Sequence, residues 1–569
     1  MTRPIRRLLI ANRGEITIRV MRAASELGIA TVAVYSQEDR FSLHRTKADE
    51  AYLIGEGKSA IGAYLDIEDI LRVAREARID AIHPGYGFLS ENPEFAEACA
   101  QAGLVFIGPS PATMRTLGNK VAARELAIAA GVAVMPATPA LPADPARCAA
   151  LAEEVGYPLM LKASWGGGGR GMRVIENPAQ LAELLPVARR EALTAFGNDE
   201  LYLEKLVRRA RHVEVQILGD SHGNLVHLYE RDCTVQRRNQ KVIERAPAVF
   251  LRDAERSALC EAALKLGRAA NYCNAGTVEF LQDADSGRFY FIEVNPRIQV
   301  EHTVTECATG VDLVKAQLRI AAGARIGSAD SGVPAQDGIR LSAHAMQCRI
   351  TTEDPENNFL PDYGSLTAYR SPAGFGVRLD AGTAYAGAVI TRSYDSLLVK
   401  ITTWAPTPEE CIARMHRALW EFRIRGVTTN LRFLDQIITH RQFAHADYTT
   451  QFIDQTPELF SAPKRRDRAT RVLTYLAETI VNGNGEVKGR RRPAHIVTPQ
   501  LPRLSAAAPP PGTKQLLDEL GPERFAQWML GQRRTLFTDT TMRDAHQSLL
   551  ATRLRSFDML RIAPYYAEL

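Results

Sequence analysis

The first hundred residues alternate between two periodicities, and that alternation limits the fold more than any other feature. LLIAN is a short apolar run, EITIRVMRAASELG has helical spacing and ends in glycine, and TVAVYS is apolar again. DAIHPGYGF and VFIGPS each follow a further helical stretch. Strands separated by helices lie parallel, with the helices covering the sheet, so an α/β (or α+β) fold is expected. Asn12-Arg13-Gly14-Glu15 occupies the first strand-to-helix turn. A dinucleotide fold would carry G-x-G-x-x-G there. Without that fingerprint the region reads as a structural lobe and not as a nucleotide site.

A chain of 569 residues exceeds one core, and at roughly 100–200 residues per domain three or more units are expected. The net charge of +5 argues against a nucleic-acid-binding tail. There is no apolar run of about 18 residues, so no membrane span is expected. MTRPIRRLLIANRGE enters a strand too soon for a signal peptide. The eight cysteines are scattered without a C-x-x-C pair and read as reduced thiols, which points to the cytoplasm.

LMLKASWGGGGRGMRVI carries the clearest local chemistry: a strand with Lys162, glycines 166–169 and 171, then a second strand. Glycines let backbone N–H groups approach phosphate oxygens, and Lys162 supplies a point charge for the same phosphates. The bland alternative is a flexible hairpin loop. No Gly-Lys-Ser/Thr follows, so this is not a Walker A loop. Lys120 begins a helix, a place that suits an anion. Glu204 and Lys205 lie in the apolar ELYLEKLV, the kind of strand that reads an adenine edge and fixes a ribose. In RHVEVQILGD, His212, Glu214 and Gln216 share one face.

FIEVNPRIQVEH is richer still. If it is extended throughout, Glu293, Asn295, Arg297, Gln299 and Glu301 point the same way. The preceding FYFI reads as buried on both faces. Glu279 in GTVEFLQ lies on the preceding strand across a hairpin loop. Carboxylates set among Val and Phe are costly unless paired or on a metal. Glu279, Glu293 and Asn295 form an oxygen set of the kind Mg²⁺ accepts beside nucleotide phosphates, with a structural salt bridge as the alternative. Arg297 can bind a planar anion bidentately and Glu301 can act as a general base. A base beside an anion-binding arginine, within reach of ATP, implies activation of an oxyacid by phosphorylation.

Taken together, KASWGGGGRGMR, ERDCTVQRRNQKVIE, GTVEFL and IEVNPRIQVEH resemble the ATP-grasp biotin carboxylase domain of biotin-dependent carboxylases. The resemblance runs from residue 11 to about residue 450. It implies that bicarbonate attacks the γ-phosphate of ATP to give carboxyphosphate, which carboxylates N1′ of biotin. It implies that Lys120, Lys162, Glu204, Lys205, His212 and Gln236 contact ATP, with Gly167, Gly168 and Gly169 closing as a lid. Glu279, Glu293 and Asn295 would hold Mg²⁺ or Mn²⁺. Arg297, Gln299 and Val300 would hold bicarbonate, Glu301 would deprotonate it, and Lys241 would stabilise the same anions. Arg349 would stabilise the biotin enolate and Asp395 would lie near the biotin pocket. Asn239 stands where many relatives carry histidine, which touches one expected nucleotide contact.

The resemblance also sorts the chain. It implies a Rossmann-like domain over 1–117, an ATP-grasp domain over 118–325 and a mixed C-terminal domain over 326–453. Beyond these come a segment at 454–483 of the kind linked to acetyl-CoA activation, including Arg468, and a Pro- and Arg-rich linker at 484–512. TDTTMRDAHQSLLATR, within 513–569, resembles the first strand of the carboxyltransferase barrel in the pyruvate-accepting branch of the family. Trp165 before the glycines and Pro296 after Asn295 point to the same branch. There Asp544 would ligate a metal, and Arg543 and Gln547 would hold pyruvate. Such a barrel takes about 250 residues, so only its beginning is expected here. The Met-Lys-Met stretch that accepts biotin is also absent. The expectation is the first half-reaction only, on biotin carried by a domain in trans or in a missing C-terminal part. A homodimer through the biotin carboxylase domain is expected, with an acyl-CoA carboxylase subunit or an inactive chain that pairs with full-length subunits as alternatives.

Overall fold

The computed structural model describes residues 4–165, 172–461, 468–485, 489, 495, 497–504, 508, 510–551 and 553–568. The chain divides into two compact units, Met1–Pro463 and Lys464–Leu569.

The first unit opens with strand β1 (Arg7–Ile10) and helix α1 (Gly14–Glu26), followed by β2 (Ala30–Tyr35), β3 (Glu50–Leu53), β4 (Ala81–His83) and β5 (Val105–Phe106). These five strands form one parallel sheet in the order β3-β2-β1-β4-β5. Leu8 and Ile10 pack with Ile16 and Val20 of α1, while Leu9 faces the opposite core with Val32, Ile70 and Phe95. Burial on both faces is what a helix-covered parallel sheet requires, and it explains why these strands read as unbroken apolar runs.

Helix α2 (Lys120–Ala129) follows, its first turn capped by the Asn119 side chain, which accepts from Ala122 N. A three-stranded antiparallel sheet comprises β6 (Leu159–Ala163), β7 (Arg173–Ile175) and β8 (Leu201–Lys205), in the order β7-β6-β8. Leu159, Leu161, Leu201 and Leu203 bury one face of it against helices. Lys162 and Glu204 therefore emerge together on the other face.

Eight antiparallel strands build the main sheet. They are β9 (Ala210–Gly219), β10 (Leu225–Arg237), β11 (Gln240–Ala246), β12 (Asn274–Asp283), β13 (Phe289–Asn295), β14 (His344–Thr351), β15 (Val377–Ala381) and β16 (Leu397–Ala405). Their order is β13-β12-β9-β10-β11-β14-β16-β15. One ladder thus runs across the boundary expected at residue 325, because β11 pairs with β14 from Ile243–Cys348 to Ala246–Ala345. Helix α3 (His302–Thr309) packs on this sheet, with Thr303 Oγ1 donating to Gln347 Oε1 at 2.6 Å.

Two local expectations need correction. FYFI is half-buried, not enclosed on both faces: only Phe291 of the four is buried. β13 ends the strand order, with β12 on one side and on the other only an isolated bridge from Val134 to Phe291. FIEVNPRIQVEH is also not extended throughout. The strand ends at Asn295, and Glu301 is the N-cap of α3. Pro296 offers no N–H to continue a ladder, and the chain turns.

In the second unit the described elements are helical: α4 (Arg468–Asn482), α5 (Thr513–Leu530), a turn at Thr541–Ala545 and helices at His546–Ser548 and Ser556–Glu568. α5 is kinked at Gly521, before Pro522. Thr535–Thr540 is not a strand, contrary to expectation. A strand needs a ladder partner, and no other strand lies among the described residues of this unit. No described helix is long and apolar enough to cross a membrane.

Candidate active site

Register on the main sheet brings the expected acids together. Glu279 on β12 is the cross-strand partner of Glu293 on β13, and Thr277 is that of Asn295. Asn295 Nδ2 donates to Glu279 Oε1 at 2.9 Å, and Gln299 Nε2 donates to the same oxygen at 3.0 Å. Lys120 Nζ, at the start of α2, lies 3.0 Å from Glu293 Oε2. Lys162 pairs with Glu204 across the small sheet. Lys205 instead turns to backbone, donating to Gly156 O and Tyr157 O at 2.8 Å each. Gln236 Nε2 donates to His212 Nδ1 at 2.8 Å. That leaves the His212 proton on Nε2, which faces Glu279 Oε2 at 3.1 Å.

Lys241 is the centre of the cluster. Its Nζ donates to Glu214 Oε2 at 2.5 Å, Glu301 Oε1 at 2.7 Å and Glu279 Oε1 at 2.9 Å. Burial alone would lower its pKa, but the three carboxylates outweigh it and hold the ammonium well above the usual lysine range. Glu301 receives a second cation, Arg349 NH2 at 3.0 Å. Burial pushes the Glu301 carboxyl up, yet Lys241 first and Arg349 next pull it below the usual carboxylate range. Glu279 is likewise held well below that range by Lys241 and then His212, against its desolvation. Arg297 reaches Glu91 Oε2 at 3.2 Å and donates to Asn295 Oδ1 at 3.1 Å.

The cluster is therefore a patch of paired opposite charges, and each cation on it can be redirected to an incoming anion. Glu279, Glu293 and Asn295 offer oxygen atoms on two adjacent strands, which suits a hard divalent cation. His212, Glu214 and Glu279 also bring ligand atoms close together. There, however, the Lys241 ammonium already bridges Glu214 and Glu279 in the place of a cation.

The remaining expected residues separate clearly. Gln299 belongs to the cluster, and the Val300 carbonyl accepts from Lys400 Nζ at 2.7 Å. Asp395 is exposed, its Oδ1 accepting from Leu397 N at 2.8 Å. Asn239 is exposed at the tip of the β10–β11 hairpin, with Arg238 and Asn239 at φ 48 and 63. A two-residue hairpin with both φ values positive favours asparagine, which gives the departure from histidine a conformational reason. Gly167, Gly168 and Gly169 lie outside the described residues, as does the side chain of Arg468. Asp544 belongs to the second unit and is exposed, with Ser548 Oγ donating to its Oδ1 at 3.4 Å. No metal-competent group of His, Cys, Asp and Glu surrounds it among the described residues.

Sequence reasoning missed the buried supports. Arg231 on β10 has no exposed side-chain surface. Its Nε donates to Glu214 at 2.5 Å, NH1 to Gln216 and Thr305 at 2.7 and 3.0 Å, and NH2 to Gln299 and Thr277 at 2.6 and 2.9 Å. Glu244, also buried, accepts from Arg349 Nε at 2.6 Å and Gln347 Nε2 at 2.9 Å. The only local signal for Arg231 is the charged run Glu230-Arg231-Asp232 between the apolar residues of LVHLYERDCTV.

Three family profiles match in succession: the biotin carboxylase N-terminal domain over residues 4–114, the ATP-binding domain of the carbamoyl-phosphate synthase L chain over 119–329, and the biotin carboxylase C-terminal domain over 347–455. Pyruvate carboxylase of Bacillus subtilis is 53% identical over 563 residues, which is 98% of this chain and 48% of that protein. A variant of Rhizobium etli pyruvate carboxylase, solved with the allosteric activator acetyl coenzyme-A, superposes with a TM-score of 0.80 at 61% identity, over 99% of this chain and 50% of that one. The biotin carboxylase domain dimer of Hydrogenobacter thermophilus 2-oxoglutarate carboxylase, solved with MgADP, ADP and bicarbonate, gives 0.78 at 42% identity, over 81% of this chain and 99% of that one. The chain spans about half the length of the curated relatives it matches. With the fold, the charge cluster and these relatives in agreement, the chain belongs to the biotin carboxylase family of ATP-grasp enzymes.

Proposed function

We propose that this chain carboxylates biotin at the expense of ATP and bicarbonate, as the first half-reaction of a pyruvate carboxylase. The observation that carries this reading is Glu301, ionised and clasped by Lys241 and Arg349, in one cluster with Gln299 and Glu279 and close to Arg297.

Lys120 and Lys162 leave Glu293 and Glu204 to meet the phosphates of ATP, and His212 and Gln236 line the nucleotide. Glu279, Glu293 and Asn295 would hold Mg²⁺ or Mn²⁺, which when bound neutralises charge on the phosphates. Arg297, Gln299 and the Val300 backbone bind bicarbonate. Lys241 and Arg349 turn partly toward the anion, so Glu301 becomes more basic and takes the bicarbonate proton. The freed oxygen attacks the γ-phosphorus, the bond to the bridging oxygen breaks, and ADP leaves. Carboxyphosphate then yields its carboxyl group to N1′ of biotin as its C–O bond to phosphate breaks; the N1′ proton leaves on the released phosphate, with Arg349 stabilising the biotin enolate and Asp395 near the biotin.

Biotin arrives on a carrier domain, and pyruvate is the final acceptor, becoming oxaloacetate. The relatives named above support that acceptor, an acetyl-CoA activator and a dimer. We place the domain limits at 117, 325, 453, 483 and 512; the profile matches that end at 114, 329 and 455 support the first three. The eight cysteines are all free thiols, which supports the cytoplasm. The test is ADP release by the purified chain. It should require bicarbonate and a divalent cation and should rise with free biotin. ADP release indifferent to bicarbonate would overturn the proposal.

A further inference from the structure

The turn Asn12-Arg13-Gly14-Glu15 carries no nucleotide fingerprint, yet two of its side chains, Arg13 and Glu15, reach beyond residues 1–117 to Tyr394 and Lys400. Asn12 Nδ2 donates to Pro84 O at 2.7 Å and Tyr86 O at 2.8 Å. Arg13 forms a fork on Asp39 at 2.7 and 2.8 Å and lies 3.6 Å from the ring centre of Tyr394, the residue before Asp395. Glu15 is buried, accepts from the Tyr86 hydroxyl, and lies 3.0 Å from Lys400 Nζ.

Lys400 has no exposed side-chain surface, and its second contact is the Val300 carbonyl at 2.7 Å. A buried ammonium needs a counter-charge, and among the described residues Glu15 is the carboxylate that touches it. Asp380, the cross-strand neighbour of Lys400, is itself bonded by Arg378 at 2.8 Å.

Lys400 on β16 is also the cross-strand partner of Arg349 on β14, so the two side chains leave the same face. Arg349 bonds Glu301 and Lys400 bonds Val300. Two adjacent cations thus hold two consecutive residues of the turn that the proposed function assigns to bicarbonate. The Val300 carbonyl belongs to the peptide unit that leads into Glu301, so fixing it fixes the backbone from which the base projects.

We infer that Glu15 is a positioning residue for the bicarbonate turn, acting through Lys400, and that this is the work of the ANRGE stretch in the reaction. The inference rests on the function proposed above. Glu15 and Lys400 make no contact with Lys120, Lys162 or Glu204. Loss of the Glu15 charge should therefore disturb bicarbonate and spare ATP.

The test is steady-state ADP release by the full chain with free biotin, varying bicarbonate and ATP separately. Glu15→Gln keeps the volume and removes the charge. Its KM for bicarbonate should rise about tenfold while its KM for ATP stays within about twofold. Tyr86→Phe, which leaves the ion pair, should move bicarbonate KM by less than about threefold. A folded Glu15→Gln with unchanged bicarbonate kinetics, or with both KM values rising together, overturns the inference. If Glu15→Gln does not fold, Lys400→Arg keeps the charge but alters the reach to Val300, and an unchanged bicarbonate KM there overturns it equally. Wild-type chain without bicarbonate-dependent ADP release counts against the proposed function and not against this pairing.

Discussion

Replacing Glu301 by glutamine separates the chemistry of the site from its architecture. The side chain keeps its shape and loses its charge. The structure fixes what is left behind: Lys241 retains Glu214 at 2.5 Å and Glu279 at 2.9 Å, and Arg349 retains Glu244. No cation is stranded, so the loss in stability should be small, about 1–2 kcal/mol for the weakened hydrogen bonds. The loss in rate should be large. A positioned general base contributes roughly 10²–10⁴-fold, equivalent to about 3–5 kcal/mol of barrier at about 1.4 kcal/mol per decade. The assay is bicarbonate-dependent ADP release, paired with a urea unfolding curve for the same protein. The expected outcome is a folded variant that binds ATP and has lost at least about two decades of turnover. Undiminished bicarbonate-dependent turnover would remove Glu301 as the base.

Lys241→Met makes the opposite cut: three carboxylates lose their shared cation, so about 3–5 kcal/mol of stability should go with the activity, read as a lower urea midpoint. Arg231→Lys keeps the buried charge but cannot make five forked bonds. About 2–4 kcal/mol of stability should be lost and bicarbonate KM should rise through the freed Gln299; an unaltered urea midpoint would contradict the role given to Arg231. Mild acid should destabilise the protein through its buried histidines. Burial holds His44 and His83 down at about 4, against 6.5 ordinarily, and each accepts a backbone N–H at a ring nitrogen. Between these values the unfolded chain binds the extra protons, so stability is full above pH 6.5 and falls by about 1.4 kcal/mol per pH unit per histidine as pH drops. A urea midpoint equal at pH 7.5 and 5.5 would refute this.

Those supports also mark what the sequence could disclose. The parallel sheet was legible because both its faces are buried and its strands read as apolar runs. The pairing of Glu279 with Glu293 was legible because a short hairpin and a period of two fix which side chains meet. The stretch after Pro296 was misread, since alternation looks the same whether or not the backbone has turned. Arg231 was invisible for a different reason: its partners lie 15 to 74 residues away. Nothing local distinguishes a buried hub from a solvated arginine. The continuity of the main sheet past residue 325 was hidden likewise, because an antiparallel pairing between distant segments leaves no local trace.

The pairs Lys120–Glu293 and Lys162–Glu204 have a consequence for the order of events. Each sets a lysine suited to phosphate against a carboxylate, Glu293 suited to metal and Glu204 to sugar, so the charges are already paired within the protein. A phosphate arriving alone would strip a lysine from its carboxylate and leave the acid bare. A metal ion taken by Glu293 alone would do the reverse to Lys120. On the proposed function, nucleotide and cation arriving together would replace the partners of Lys120 and Glu293 at once, so this pairing would favour the two as one guest over either alone.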